Sequence, residues 1–228
     1  MKRNFKGFIY RAISPFFDPY RLLFSFPRYA RFIKDLSRYS KMEGAETIHL
    51  FDIYPCLHDR TQITKADYYF YQDIWAFKRI YESKVKHHVD VGSRAIFVGM
   101  LTAFTNVTFI DIRPLEAKLD RLECIKGNIL SMPFEDKSLR SLSSCLCVAE
   151  HIGLGRYGDS LDPMGTKKSN KGVVESIGCE WKSIFLSARG RPRLCFNAHR
   201  IHSPRQIINY FKDEGLDLVE LSGIDDYV

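Results

Sequence analysis

A chain of 228 residues, 45% hydrophobic and 27% charged, is long enough for one large domain with an attachment and apolar enough to bury a sizeable core. Its formal charge of +7 is uneven: residues 1–42 hold ten Lys/Arg against two Asp, a net of +8, so the other 186 residues carry a net of −1. That distribution argues against nucleic acid, which needs the basic residues on the folded domain itself, and no apolar run of about 18 residues exists to cross a membrane as a helix.

Residues 1–45 read as a basic, aromatic, helical arm. Eleven aromatics interleave with its ten basic residues, and Pro15, Pro19 and Pro27 are expected to cut it into short pieces. After Pro27 the residues Tyr29, Phe32, Ile33, Leu36 and Tyr39 recur at helical spacing, flanked by Arg28, Arg31, Lys34, Arg38 and Lys41. Such a stripe suits an anionic membrane surface, its aromatics at headgroup level. It equally suits packing on the main domain or on a second copy of the chain. Arg11, Asp18 and Arg21 interrupt the apolar middle that a signal peptide needs. Six cysteines, at 56, 124, 145, 147, 179 and 195, form no CxxC pair and no zinc-ligand spacing. The expected compartment is therefore reducing, the cytoplasm, with the arm as a route to the inner face of the cytoplasmic membrane.

Residues 46–228 read as the second domain. Tyr71, Ile74, Trp75, Phe77, Lys78 and Tyr81 follow a helical pattern that leads into a sheet. The expected elements then alternate: strand 88–91, an apolar helix 95–104 covered on most sides, strands 107–111 and 123–125, and a strand within 139–148. A strand at 183–187, a helix at 204–213 capped by Ser203 with Ile207, Ile208 and Phe211 inward, and a last strand at 216–221 close the chain. Cys145 and Cys147, two apart, are expected on one side as small buried apolar residues. This order predicts an α/β fold with a doubly wound, mostly parallel sheet, in which ligands sit outside the carboxyl ends of the strands near the switch point.

Those strand ends carry the chemistry. The stretch HHVDVGSRAIFVG supplies Asp90, Gly92 and Ser93. Asp111 ends the next strand about twenty residues on, where a carboxylate can accept both hydroxyls of a ribose, unless it only caps a helix or sits in solvent. Asn128 and Ile129 follow the third strand, an amide and an apolar face that suit a purine. After the fourth comes AEHIGLGRYGDSLDP, with Glu150, His151, Arg156, Tyr157, Asp159 and Asp162, too polar and glycine-rich for core. His151 is a candidate general base, His199 a second, and Arg200 an anchor for an acidic or phosphorylated substrate. The alternative for this loop is a rigid structure tied by its own hydrogen bonds, and for Asp90 a turn stabiliser. No set of residues makes a metal site.

The order VDVGS, FIDIRP, GNILSMPFEDKSLRSLSS, EHIGLGRYGD resembles class I S-adenosylmethionine-dependent methyltransferases. More closely, with CFNAHRIHSP, it resembles a bacterial family of methyltransferase-like proteins of unknown function associated with surface-polysaccharide biosynthesis. The resemblance, over about residues 45–226, implies a Rossmann-like methyltransferase fold with a seven-stranded sheet. It implies S-adenosylmethionine bound by Asp90, Gly92, Ser93, Asp111, Asn128, Ile129 and Glu150. The acceptor, a sugar or glycan intermediate, would meet Arg156, Tyr157, Asp159 and Arg200. The chain departs from the pattern in three places. Arg94 and Ile96 stand where further glycines are usual, Gly172 and Gly178 interrupt the helix before the fifth strand, and the chain stops after six expected strands. These departures sustain an alternative, a binding or scaffolding protein that has lost turnover. A nicotinamide enzyme suffers more from the lost glycines, because a pyrophosphate needs that close helix approach.

Overall fold

The computed structural model describes residues 5–58, 66–113, 115–134, 142–176, 182–186 and 190–223. The chain divides into two compact units, Met1–Lys65 and Ala66–Val228. The first holds α1 (Phe5–Ile13), α2 (Pro19–Tyr39) and a 3-10 turn at Leu50–Asp52. Asp18 caps α2 by accepting Arg21 N at 3.0 Å, and Pro19 takes the first turn, where its missing N–H is no loss. Pro27 does not cut the arm: α2 runs through it for 21 residues. A helix of that length with a capped start absorbs the loss of one internal hydrogen bond. No described side chain of α2 is buried, and Leu23, Phe24 and Phe26 are 65%, 51% and 68% exposed.

The second unit runs α3 (Tyr68–Ser83), β1 (His87–Val91), α4 (Ala95–Leu101), β2 (Asn106–Asp111), β3 (Leu122–Lys126), β4 (Leu142–Leu146), α5 (Gly165–Ser176), β5 (Ser183–Leu186), β6 (Arg193–Cys195), β7 (His199–Ile201) and α6 (Pro204–Asp213). Five strands form one parallel sheet in the order β3-β2-β1-β4-β5. The strand order reverses at β1, so the switch point lies between the ends of β1 and β4. β6 and β7 pair antiparallel as a separate hairpin that the sequence pattern did not announce. Residues 216–221 form no strand, so among the described residues the parallel sheet has five strands rather than seven. The start of the expected 139–148 strand and Gly178 lie outside the described residues.

The strand pleat sorts the core into two layers. Val107, Phe109, Leu142 and Leu146 pack with Phe97, Val98 and Leu101 of α4 and Ala76 and Ile80 of α3. Val91 and Cys145 meet Ile129 and Val173 of α5, with Val89 and Ile110 in a third cluster. Helix α3 forms where the pattern predicted and buries Gln72, Ala76 and Ile80, with Trp75 and Phe77 packed against the same core and Ile74 and Tyr81 exposed. Likewise α4 is covered on one face only, with Ile96 at 72% exposure. Helix α6 follows its sequence: Ser203 accepts Gln206 N at 3.2 Å while the Gln206 side chain accepts Ser203 N at 2.9 Å.

Gly172 does not interrupt α5. The helix is continuous from Gly165 to Ser176, and a Cβ at Gly172 would lie 2.2 Å from the Ile129 carbonyl oxygen. Glycine is there because helix backbone and the turn after β3 approach without room for a side chain. Gly172→Ala sets two effects against each other. Alanine favours a helix by about 1 kcal/mol, while overpacking against backbone costs about 1–3 kcal/mol. The contact is to backbone, so the second effect wins: the variant should lose about 1–2 kcal/mol in urea unfolding, and a stabilised variant would refute the close approach.

Candidate functional site

Gly92 follows β1 with φ +68, and its Cα faces Val148 beyond the end of β4: a Cβ would stand 3.1 Å from Val148 Cγ2 and 3.7 Å from Asp111 Oδ2. One small residue thus lets the turn fold down between the ends of three strands. A cleft of about 100 Å³ opens over it, walled by Gly92, Asp111, Asn128, Ile129, His151 and Tyr157 among others. A second cleft of about 420 Å³ shares Ile112, Asn128 and Ile152 with the first and continues along Leu130, Asp159, Leu161 and Lys168. The first alone is smaller than the roughly 300–1,000 Å³ usual for small-molecule sites; the pair falls in that range. Asp111, 17% exposed in its side chain, accepts Arg113 N at 2.7 Å through Oδ1, with Oδ2 on the Gly92 side. Asn128 holds its own turn by accepting Leu130 N at 2.9 Å.

Asp90 and Ser93 lie beneath this cleft, not in its wall. Asp90 is wholly buried; its Oδ1 accepts Ser93 N at 3.0 Å and its Oδ2 accepts the Ser144 hydroxyl. The Ser93 hydroxyl in turn accepts Leu146 N at 3.2 Å. His88 Nε2 stands 2.8 Å from the same Ser144 oxygen; since that hydroxyl donates to Asp90, His88 donates from Nε2. Burial pushes the Asp90 carboxyl up to about 6, with the serine hydrogen bonds pulling the other way. Burial, then the neighbouring His87, pushes His88 down to about 3. Arg94 points away: its guanidinium lies over the Tyr69 ring at 5.1 Å and pairs with Asp73 at 3.4 Å.

The loop after β4 is tied largely to itself and to the hairpin. Asp159 accepts Gly153 N at 2.6 Å, Gly155 N at 3.4 Å and Tyr157 N at 3.3 Å. Burial would raise its carboxyl, but these donors outweigh it and hold it below the usual range. Arg200 donates to the carbonyls of Ile152 and, at 2.7 Å, Asp162, clasping the loop rather than facing a cleft. Glu150 is buried beside Cys147. His151 Nδ1 lies 2.6 Å from the Ala198 carbonyl between β6 and β7. It must donate there, which leaves Nε2 as the acceptor of a neutral ring. Burial first lowers the His151 pKa, and the Arg156 charge adds to that. His199 is half-buried, its ring centroid 6.2 Å from that of His151.

The geometry therefore brings Gly92, Asp111, Asn128, Ile129, His151 and Tyr157 to one cleft and Asp159 to its neighbour. Asp90, Ser93, Glu150, His199 and Arg200 are placed beneath or behind it. Two polar side chains of the cleft escaped the sequence reading. Cys147 does not repeat the surroundings of Cys145: it follows the strand with φ 57, is half-buried, and lines the cleft while its thiol donates to Gln72 Oε1 at 3.0 Å. A left-handed non-glycine residue is uncommon and nothing local in the sequence signals it. Arg113 also lines the cleft, and its place two residues past Asp111 was the available signal. Among the described residues no three His, Cys, Asp or Glu side chains stand close enough to hold a metal ion. No protein-family model matches the chain, and no curated protein matches it significantly.

The buried pair gives a pH prediction. Asp90 titrates higher folded than its ordinary 3.8, so its stabilising contribution is complete below about pH 4 and fades as pH rises through about 6. His88 titrates lower folded than its ordinary 6.5, so its contribution is complete above that pH and fades as pH falls toward about 3. Between pH 4 and 6 the two slopes oppose. Asp90→Asn removes one of them: relative to the wild type, its stability should improve with rising pH by up to about 3 kcal/mol across that window. Urea midpoints at pH 4, 5 and 6 read this, and a pH-independent difference would refute it.

Proposed function

We propose that the chain is an S-adenosylmethionine-dependent methyltransferase with a Rossmann-like domain, acting on a hydroxyl of a surface-glycan or lipid-linked sugar. The observation that carries this is the meeting of Gly92, Asp111 and His151 at one cleft over the switch point. The residues fit the cofactor chemically: Asp111 offers carboxylate oxygen to ribose hydroxyls, Ile112 and Ile129 offer apolar faces, and Asn128 offers an amide edge. The cofactor would bring a methyl group already activated on sulfur. The protein then needs to orient the acceptor and receive its hydroxyl proton, which His151 Nε2 can do as a neutral base.

The alternative is a binding protein on the same fold, favoured by the small volume over Gly92 and by an Asp90 carboxylate already satisfied below the turn. Calorimetry with S-adenosylhomocysteine separates the two. Methyl transfer expects micromolar to sub-millimolar affinity, weakened at least tenfold by Asp111→Ala, which is about 1.4 kcal/mol. Heat indistinguishable from dilution at millimolar ligand would favour the binding protein.

The first unit would bring the protein to the acceptor. No helix among the described residues is long and apolar enough to cross a membrane. Yet α2 exposes Leu23, Phe24 and Phe26 on a segment rich in arginine and lysine, which suits lying on an anionic bilayer. Each basic residue near the lipid adds ~1 kcal/mol. Full-length protein should co-sediment with anionic liposomes at low salt and be released at high salt, and Leu23→Ser with Phe24→Ser and Phe26→Ser should abolish sedimentation. Protein that stays in the supernatant would assign α2 to packing or to a second copy of the chain.

A further inference from the structure

Two arginines, Arg113 in the wall of the smaller cleft and Arg156 beside it, are left unused by the proposed cofactor contacts. Arg113 and Arg156 both lie over the ring of Tyr157, at 4.4 Å and 5.0 Å from its centroid. Two guanidiniums sharing one ring repel each other, and the carboxylates of Asp111 and Asp159 offset part of that without closing a side-chain hydrogen bond to Arg113. Asp159 turns its oxygens to backbone N–H groups. Asp111 stands 3.7 Å from Arg113 Nε, longer than a hydrogen bond, and no other polar side chain of the described residues partners that guanidinium. Arg113 is 62% exposed in its side chain and Arg156 is also exposed, so both can turn donors to a ligand. Arg156 Nη1 also reaches the Ala198 carbonyl at 3.0 Å and lies 3.4 Å from His151 Nδ1, which holds that side of the guanidinium beside His151 and leaves its other nitrogens for a ligand. The Tyr157 ring that carries both guanidiniums lies edge-on to His151 at 5.7 Å.

We propose that Arg113 and Arg156, both stacked on Tyr157, form an anion site for the phosphate or diphosphate of the acceptor. Guanidinium forks match phosphoryl oxygens in pairs, and two forks gathered at one ring fit a group with two charge centres better than a single carboxylate. The acceptor class follows, and here the inference rests on the methyl-transfer reading: a phosphorylated sugar whose reacting hydroxyl belongs to the sugar that bears the phosphate. The reason is distance. His151, the proton acceptor, is the ring next to Tyr157, so base and anion site serve one sugar rather than distant units of a glycan.

The test is calorimetry of the full-length protein with inorganic pyrophosphate at moderate salt. Binding at or below about millimolar Kd is expected, weakened tenfold or more by Arg113→Gln and by Arg156→Gln and unaffected by Lys212→Gln on α6. Glutamine at 156 keeps a donor for the Ala198 carbonyl. Without any variant, pyrophosphate should protect Arg113 and Arg156 of the wild type from phenylglyoxal, read by peptide mass spectrometry. No binding, equal binding by the variants, or no protection overturns the proposal. Competition by uridine diphosphate glucose identifies a soluble acceptor, and competition by vesicles carrying a polyprenyl-diphosphate sugar a lipid-linked one. If neither displaces pyrophosphate, the site is no acceptor anchor. Pyrophosphate binding without S-adenosylhomocysteine binding would sink methyl transfer and leave the anion site standing; the reverse would sink only the anion site.

Discussion

The carboxylate of Asp90 is the contact on which the site is built. An ionised group removed from water costs several kcal/mol unless donors replace the lost solvent. Here the donors are Ser93 N and the Ser144 hydroxyl, one from the turn after β1 and one from β4. Satisfying the carboxylate therefore draws the turn down against the neighbouring strand, and Ser93 repeats the tie through Leu146 N. A turn held that tightly needs left-handed backbone at Gly92, and the same glycine leaves Val148 and Asp111 room to close around it. The cleft is a consequence of how a buried acid is satisfied.

A second chain of dependence positions His151. Arg200 of β7 clasps the carbonyls of Ile152 and Asp162, which fastens the hairpin to the loop after β4. That fastening sets the Ala198 carbonyl against His151 Nδ1. The carbonyl can only accept, so it selects the tautomer whose Nε2 is unprotonated. Within the loop, Asp159 gathers the N–H groups of three residues, and Gly153 and Gly165 allow backbone contacts a Cβ would close to 2.2 Å. A loop this fully bonded to itself is a scaffold for His151 and Tyr157 more than a set of independent ligands.

What could be read in the sequence was local. Short apolar runs marked β1 and β2, Ser203 marked the start of α6, and an acid at a strand end marked Asp111. What could not be read was decided by contacts far apart in the chain. Asp90 looked like a ligand because its bond to Ser144, 54 residues away, leaves no local trace. Arg200 looked like an anchor for substrate because its partners are carbonyls 38 and 48 residues upstream. Gly172 looked like damage to a helix because the backbone it touches follows a different strand. In each case residue type was read correctly and partner was not, since hydropathy and spacing report neighbours along the chain only.

The single-glycine turn can be understood on the same terms. Further glycines in such a loop matter where a ligand must reach the backbone or where a side chain would fill its space. Neither Arg94 nor Ile96 fills the cleft. Arg94 stands at the start of α4 and is drawn off by the Tyr69 ring and Asp73, and Ile96 faces outward at 72% exposure. Within this turn, the position where a Cβ would press on the cleft wall is Gly92, and a glycine stands there. What the substitutions remove is freedom for close backbone approach at the start of α4, a helix of only seven residues. A ligand in this cleft must therefore take most of its polar contacts from side chains, Asp111 and Arg113 foremost. Such side chains suit hydroxyl-bearing groups at Asp111 and anions at Arg113, rather than a pyrophosphate that depends on helix amides.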